Sequence, residues 1–211
     1  MSEIAKLEGT LSHTIRRLYE RGLVSGVGGN ASIILPSRNQ IMITPAGYFK
    51  GGVAEGDIVR VTLKGDVLGK GTPSSELATH LMVYGTRKDV TAVVHGHPPT
   101  AVALITAGVP IPVMTPEHAV MIRRLEVVGF APPGRLGALA VREAIKRCDV
   151  VGIRNHGFFS LGNGLHEAAS RLEVLEESAK IFLAGHHVGG VSGLGPKELG
   201  LIRKNYDKTI R

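Results

Sequence analysis

The 211-residue sequence has few of the residues that form covalent cross-links or closed metal frameworks. Its single cysteine, Cys148, excludes an intrachain disulfide and argues against a structural zinc site, because such sites use several thiolates. Tryptophan is absent, no apolar run is long enough to span a bilayer, and the N-terminal Met-Ser-Glu-Ile segment does not resemble a signal peptide. These absences predict a cytoplasmic protein that has no membrane partner.

Positive charge is in excess but is not concentrated. The chain has 25 basic and 18 acidic residues, which gives a formal net charge of +7. The basic residues occur in isolated pairs such as Arg16-Arg17 and Arg123-Arg124, without the arm, stripe or interleaved aromatic residues of a nucleic-acid-binding face. We therefore expect no nucleic-acid partner and interpret the charge as attracting small anionic molecules.

Hydrophobic periodicity predicts alternating helices and strands along the chain. Apolar residues recur every three or four positions from Ile4 to Tyr19, which indicates an opening amphipathic helix. A helix from Gly134 to Arg147 is predicted to bury one side, formed by Leu136, Leu139, Ala140, Ala144 and Ile145. The remaining predicted elements are strands over 33–35, 41–43, 58–63, 90–94, 149–154 and 158–161 and helices over 73–87, 100–107, 117–123, 164–187 and 197–208. No internal repeat is present, so residues 1–211 are predicted to form one α/β domain.

Three histidines are placed where they could converge on one metal ion. His95 and His97 follow the predicted strand 90–94. Side chains two residues apart on a strand point the same way, roughly 6.5 Å apart. His156 follows the predicted strand 149–154. Three histidines with an open fourth position are the ligand set of a catalytic zinc, whereas the His-x-His pair alone could also be merely solvated or hydrogen-bonded.

The segment Pro73-Ser74-Ser75 is predicted to begin the helix 73–87, with a serine as its N-cap. Two hydroxyl groups at a helix N-terminus indicate a phosphate site, although capping alone explains one of them. Glu76 then falls in the first turn of the helix, where the helix dipole favours a carboxylate even without a catalytic role.

A glycine-rich segment, 25–32, precedes the first strand and contains Gly29 and Asn30. Glycines allow backbone N–H groups to face an anion, but the same composition is also typical of a tight turn before a hairpin. The turn Thr44–Gly47 is expected to lie beside this segment.

Five segments together resemble the motifs of the class II aldolase/adducin family: Gly-Gly-Asn-Ala-Ser (28–32), Ile-Thr-Pro-Ala-Gly (43–47), Pro-Ser-Ser-Glu (73–76), Val-Val-His-Gly-His (93–97) and Asn-His-Gly (155–157). They extend over most of the chain, in the order and at the spacing of the family. The resemblance implies an α/β fold, a three-layer α/β/α single domain with a mixed, mostly antiparallel central sheet. It also implies a homotetramer with active sites at subunit interfaces.

The resemblance gives each matching residue a role. His95, His97 and His156 would bind Zn²⁺, or another divalent metal such as Mn²⁺ or Co²⁺, and Glu76 would be the catalytic acid/base. Tyr206 would be the counterpart of a tyrosine that reaches a neighbouring active site, although a surface tyrosine on the last helix would give the same pattern. The residues that would bind the phosphate of a sugar-phosphate substrate are Gly29, Asn30, Gly47, Ser74 and Ser75.

The implied reaction is reversible aldol cleavage of a ketose 1-phosphate, similar to L-fuculose 1-phosphate. It would give dihydroxyacetone phosphate and a small aldehyde such as lactaldehyde through a metal-stabilised enediolate. Sugar-phosphate 4-epimerases, methylthioribulose-1-phosphate dehydratases and decarboxylases of the same family are alternatives. A non-catalytic adducin-like assembly module is a remote one, because such modules lack the three histidines.

Two departures from the family pattern affect the implied site. Val27 and Ala46 stand where family aldolases often have hydroxyl residues, so two potential hydrogen bonds to phosphate would be lost. Thr115-Pro116 stands where a tyrosine follows the corresponding strand, which leaves the general acid for the aldehyde oxygen unidentified.

Overall fold

The computed structural model describes residues 2–206, and an eight-stranded sheet forms its middle layer. The strands are β1 (Asn30–Ile34), β2 (Gln40–Ile43), β3 (Val59–Thr62), β4 (Val67–Leu68), β5 (Ala92–Gly96), β6 (Leu125–Val128), β7 (Val150–Ile153) and β8 (Gly157–Gly162). Their order across the sheet is β4-β3-β2-β1-β5-β8-β7-β6. Among these strands only β6 and β7 pair in parallel; every other neighbouring pair is antiparallel.

Helices cover both faces of the sheet. They are α1 (Glu3–Glu20), α2 (Leu77–Thr86), α3 (Pro99–Thr106), α4 (Pro116–Met121), α5 (Arg135–Ile145), α6 (Leu165–His187) and α7 (Pro196–Tyr206). One apolar core lies between the sheet and α2 and α5, and a second lies between the sheet and α1, α3, α4 and α6. The predicted three-layer α/β/α architecture with a mostly antiparallel sheet is therefore confirmed. Within residues 2–206, no helix combines the length and the apolar composition needed to cross a bilayer.

The central strand β5 runs through the apolar core and contains His95. It lies between β1 and β8, and all five of its residues are buried. Val93 packs into the core under α2 and α5, whereas Val94 packs into the core on the opposite face. Because side chains alternate along a strand, His95 shares the face of Val93 and points towards the segment that leads into α2.

The edge strand β6 is not predicted by the hydrophobic pattern. None of its four residues is fully buried, so the alternation that marks a half-buried strand is weak there. It joins the sheet through its parallel pairing with β7.

The predicted buried side of α5 is partly wrong. Ala144 and Ile145 are buried as expected, but Leu136 and Leu139 are 60% and 55% exposed and Ala140 is also exposed. Small residues allow α5 to lie close to α2, so the buried side is formed instead by Gly137, Ala138 and Val141.

The start of α2 also differs from the prediction. The carbonyl of Ser74 accepts from the backbone N–H of Leu77 at 3.0 Å, so a turn precedes the helix and α2 begins at Leu77. The residue at the cap position is Glu76, whose side chain makes no capping hydrogen bond. The expected serine N-cap and first-turn glutamate are therefore wrong, and the Glu76 carboxylate does not cap its own helix.

Candidate active site

The three predicted metal ligands lie together at one end of β5. His95 is within β5, His97 follows it, and His156 lies in the turn between β7 and β8. One ring nitrogen from each residue lies within 4.8 Å of the others, and the Nε2 atoms of His95 and His97 are 3.1 Å apart. Ligand nitrogens around one tetrahedral ion are roughly 3.4 Å apart, so this cluster could bind a divalent metal.

The protonation of the histidines also fits a metal site. Burial lowers the pKa of His97 to about 4 and that of His95 well below its ordinary value, so both rings are neutral near pH 7. The Nδ1 atom of His95 lies 3.0 Å from the carbonyl oxygen of Phe158. Because a carbonyl only accepts, Nδ1 carries the proton, and Nε2 keeps a lone pair that faces the other two rings.

Two glycines leave space for this cluster. A Cβ atom at Gly157 would lie 2.5 Å from the carbonyl oxygen of Gly96 and 2.6 Å from Cδ2 of His97. A Cβ atom at Gly96 would lie 2.5 Å from Cδ2 of Leu172. These separations are shorter than non-bonded contacts allow, so any larger residue would displace a histidine or a core side chain.

Glu76 directs one carboxylate oxygen at the histidines. Its Oε1 is buried without a hydrogen-bond donor, 3.4 Å from Nε2 of His156 and 3.8 Å from Nε2 of His95. Its Oε2 accepts from Oγ1 of Thr79 and from the backbone N–H of Gly134, each at 3.4 Å. Burial raises the pKa of Glu76, which favours the protonated form that a general acid needs.

A cavity of about 180 Å³ lies beside Glu76 and the histidines. Two hydrogen bonds between Thr44 and Ala31 hold the turns 25–30 and 44–47 side by side. The backbone N–H of Thr44 donates to the carbonyl of Ala31, and the backbone N–H of Ala31 donates to Oγ1 of Thr44. Within residues 2–206, the backbone N–H groups of Gly47 and Ser75 have no acceptor, which leaves them available for an anion. The cavity wall includes all five residues predicted to bind phosphate, namely Gly29, Asn30, Gly47, Ser74 and Ser75.

A buried chain of hydrogen bonds fixes the amide of Asn30. Tyr84 Oη lies 2.7 Å from Ser32 Oγ, Ser32 Oγ lies 2.6 Å from Nδ1 of His80, and Nε2 of His80 lies 2.6 Å from Oδ1 of Asn30. Burial lowers the pKa of His80 to about 3, so its ring is neutral and donates through Nε2 to that oxygen. Because Oδ1 is held by His80 and Asn30 lines the cavity, the Nδ2 group is the end of the amide that can donate into the cavity.

Two residues of the cavity wall were not predicted from the sequence. Lys50 is 1% exposed and donates from Nζ to the carbonyl of Pro45 at 2.8 Å. Pro133 comes from the loop 129–134, which leads into α5. Lysine is normally a surface residue and proline is common in loops, so neither carried a functional signal beyond the closeness of Lys50 to Gly47. The predicted departures Val27 and Ala46 also line the cavity.

Two other predicted positions lie away from this cavity. Tyr206 is the last residue that the structure describes and is 46% exposed at the end of α7, so its role at a neighbouring site stays a prediction. Thr115 accepts from the backbone N–H of His118 at 3.2 Å and caps α4. The loop 129–134 lies beside Glu76, because the backbone N–H of Gly134 donates to Oε2 of that residue.

Comparison with known proteins agrees with the fold. The model of the class II aldolase and adducin N-terminal domain family matches residues 10–183. An L-fuculose phosphate aldolase of Methanocaldococcus jannaschii is 38% identical over 168 residues, 80% of this chain and 91% of that protein. A 3-oxo-tetronate 4-phosphate decarboxylase of Escherichia coli is 32% identical over 196 residues, 88% of this chain and 92% of that protein. A solved structure of an L-fuculose 1-phosphate aldolase has a TM-score of 0.88 at 29% identity and covers 98% of both chains.

The family match spans all five motifs, from residues 28–32 to residues 155–157. The resemblance inferred from those motifs is therefore confirmed. The chain belongs to the class II aldolase and adducin N-terminal domain family.

Proposed function

We propose that this chain is a metal-dependent lyase that reversibly cleaves a ketose 1-phosphate of the L-fuculose 1-phosphate type. The products would be dihydroxyacetone phosphate and a small aldehyde such as lactaldehyde. The observation that carries this proposal is the buried Oε1 of Glu76, which has no donor and lies 3.4 Å from one imidazole of the three-histidine cluster. A proton-transferring group beside a metal site is what carbanion chemistry next to a ketone requires.

The metal would be held by His95, His97 and His156. Zn²⁺ is the expected ion because neutral imidazoles with an open fourth position suit it, and Mn²⁺ or Co²⁺ could replace it. When bound, such an ion supplies Lewis-acid stabilisation of negative charge on the substrate oxygens.

Glu76 would move the proton at C3 of the substrate. In cleavage, the C4 hydroxyl loses its proton, the C3–C4 bond breaks to give the aldehyde and an enediolate, and protonated Glu76 returns a proton to C3. In condensation, the carboxylate removes that same proton. The raised pKa of Glu76 supports the first role, and the absence of any donor to Oε1 within residues 2–206 supports both.

The substrate phosphate would bind on the turns that line the cavity. The free backbone N–H groups of Gly47 and Ser75 and the Nδ2 group of Asn30 supply donors, and Gly29 and Ser74 complete the wall. The relatives from Methanocaldococcus jannaschii and Escherichia coli are both named for phosphorylated substrates, which supports a phosphate in this position.

A second candidate is decarboxylation of a 3-oxo acid phosphate. No tyrosine is among the described residues of the cavity wall, and Pro133 lies there instead. Aldol cleavage needs a group to exchange a proton with the aldehyde oxygen, whereas loss of CO₂ does not. Decarboxylation of a 3-oxo-tetronate 4-phosphate would leave the enediolate of dihydroxyacetone phosphate, which Glu76 could protonate in the same way. For the aldolase, Tyr206 of a neighbouring subunit is the proposed group that takes up the C4 hydroxyl proton in cleavage and donates it to the aldehyde oxygen in condensation.

We also infer that residues 1–211 act as one catalytic domain in a cytoplasmic homotetramer with active sites at subunit interfaces. Exposed apolar side chains beside the cavity loop 129–134 support such an interface. Phe130 is 68% exposed, and Leu136 and Leu139 are 60% and 55% exposed on the adjoining helix.

Proton NMR of the metal-loaded protein with dihydroxyacetone phosphate in deuterated buffer tests the shared chemistry. We expect stereospecific loss of one C3 proton signal that stops when a chelator removes the metal. If the loaded protein leaves the signal intact, enediolate formation is excluded. Incubation with L-fuculose 1-phosphate and, separately, with 3-oxo-tetronate 4-phosphate then distinguishes lactaldehyde production from CO₂ release.

A further inference from the structure

Lys50 is a residue of the cavity wall, and its ammonium group has no carboxylate partner among the described residues. The side chain is 1% exposed, and Nζ donates to a single acceptor, the carbonyl of Pro45. Within residues 2–206, no carboxylate oxygen lies within 4.0 Å of Nζ. A buried cation with one neutral partner is costly unless a further anion binds beside it.

The backbone around Lys50 ties it to both turns of the cavity. Its own N–H donates to the carbonyl of Gly26 at 2.8 Å, and its Nζ reaches Pro45 in the turn 44–47. The N–H of Ser74 donates to the carbonyl of Thr44 at 3.3 Å, so the segment that contains Ser74 is also attached to the turn 44–47. Lys50 therefore lies where the proposed phosphate-binding segments meet.

The cavity wall contains an acidic and a basic residue that contact different groups. Glu76 faces the histidines, and Lys50, the basic residue of the wall outside those histidines, contacts the turn 44–47. The wall also has the apolar side chains of Val27 and Ala46, which cannot hydrogen-bond a phosphate. A charged donor near these turns would replace what the two missing hydroxyl groups would have contributed.

We propose that Lys50 supplies the positive charge that pairs with the substrate phosphate and selects phosphorylated over non-phosphorylated ketoses. This proposal rests on the proposed function for the identity of the substrate. Nζ has three N–H donors and uses one on Pro45, so two are available to phosphate oxygens. Burial lowers the pKa of Lys50, and a bound dianion would raise this pKa again by stabilising the ammonium form.

The test compares Lys50→Met, Lys50→Gln and Lys50→Arg with the exposed control Lys70→Met. Methionine removes both the charge and the N–H donor. Glutamine keeps an N–H donor for the carbonyl of Pro45 but has no charge, and arginine keeps the donor and the charge. Metal-loaded proteins are assayed for proton exchange with dihydroxyacetone phosphate and with dihydroxyacetone. The ratio of the two kcat/KM values should fall about 30-fold or more in the methionine and glutamine variants, because they leave a bound charge unpaired. The arginine and Lys70 variants should keep most of the ratio.

The proposal would be overturned if kcat/KM fell equally for both trioses, or if the glutamine variant kept the wild-type ratio. In either case Lys50 would act only by holding Pro45. Inorganic phosphate provides a readout that does not depend on turnover. Its dissociation constant, measured by calorimetry on the metal-loaded proteins, should rise by a similar factor in Lys50→Met, and an unchanged constant rejects the role. If wild-type protein binds phosphate through Lys50 but exchanges neither triose, the proposed function fails and the assignment of Lys50 stands.

Discussion

The Nε2 atom of His80 lies 2.6 Å from Oδ1 of Asn30, and this hydrogen bond holds the Asn30 amide in one orientation. The oxygen is occupied within the core, and the nitrogen is left for the cavity. A buried imidazole behind the wall thus decides that Asn30 presents a donor, which is what a phosphate requires.

Replacing His80 by leucine should loosen this orientation. The change leaves Oδ1 of Asn30 without its buried donor, which costs about 1–3 kcal/mol, whereas Ser32 loses one hydrogen bond but keeps its contact with Tyr84. We expect a lower free energy of unfolding in urea and a KM for dihydroxyacetone phosphate raised about 10-fold, with a smaller change in kcat. Tyr48→Phe, at an exposed position, is the control. An unchanged KM in the leucine variant would show that Asn30 does not depend on His80.

Glu76→Gln should separate metal binding from proton transfer. Glutamine has nearly the same shape but cannot take up or release the proton, so C3 proton exchange should fall at least about 100-fold. The bound metal, measured by atomic emission, should be retained because the three imidazoles are intact. Exchange at the wild-type rate would remove Glu76 from the mechanism.

Removal of one histidine should release the metal. His95→Ala is expected to lose bound metal and the thermal stabilisation that metal gives, which is about 3 kcal/mol when the free ion is about 100-fold above its dissociation constant. His13→Ala, on the exposed side of α1, is the matched control. A His95 variant that binds metal like the control would contradict the proposed ligand set.

Two glycine substitutions should have opposite effects. Gly157→Ala forces a Cβ atom to within 2.6 Å of His97, so metal affinity and stability should both decrease. Gly85→Ala places its Cβ in open space on α2 and should stabilise the protein by up to about 1 kcal/mol. Urea denaturation and metal titration measure both effects. Normal metal affinity in Gly157→Ala would mean that the turn can move away without cost.

Acid should destabilise the protein partly through His118. Its ring is 2% exposed beside Ser178, and burial lowers its pKa to about 4. The folded form keeps this ring neutral, whereas the unfolded chain takes up a proton below a pH of about 6.5. The contribution of His118 is therefore complete above about pH 6.5 and is lost as the pH falls towards 4, by about 3 kcal/mol in total.

His118→Gln tests this pH dependence, because glutamine can keep a hydrogen bond to Ser178 without titrating. Urea denaturation in chelator at several pH values should give a shallower fall in the free energy of unfolding between about pH 6.5 and 4. The exposed His187→Gln should keep the wild-type slope. Identical slopes in all three proteins would indicate that the pKa of His118 is the same in the folded and unfolded chains.

The histidine cluster and the layer architecture were predictable because the responsible patterns are local. His95 and His97 are brought together by the two-residue period of one strand, and His156 by the turn after another. The glycine and serine motifs likewise fix where turns occur.

Features that depend on tertiary packing were not predictable in this way. Lys50 resembles any surface lysine until the two turns close around it. Periodicity cannot decide which stripe of α5 is buried, because Leu136 and Leu139 are more hydrophobic than Gly137 and Ala138. Close packing of α5 against α2 selects the smaller side chains. The edge strand β6 is defined by its partner β7 rather than by its own alternation.

The loop 129–134 contacts the Glu76 carboxylate through a main-chain hydrogen bond, which the N–H of Gly134 donates, and Pro133 of the same loop lines the cavity. Side chains in this loop can therefore be exchanged without removing that hydrogen bond, a metal ligand or a phosphate donor. Natural variation in this one segment could alter the second reactant while the carbanion chemistry is inherited unchanged. Residues 129–133 are therefore the place to introduce substitutions by directed evolution when the second reactant is to be changed.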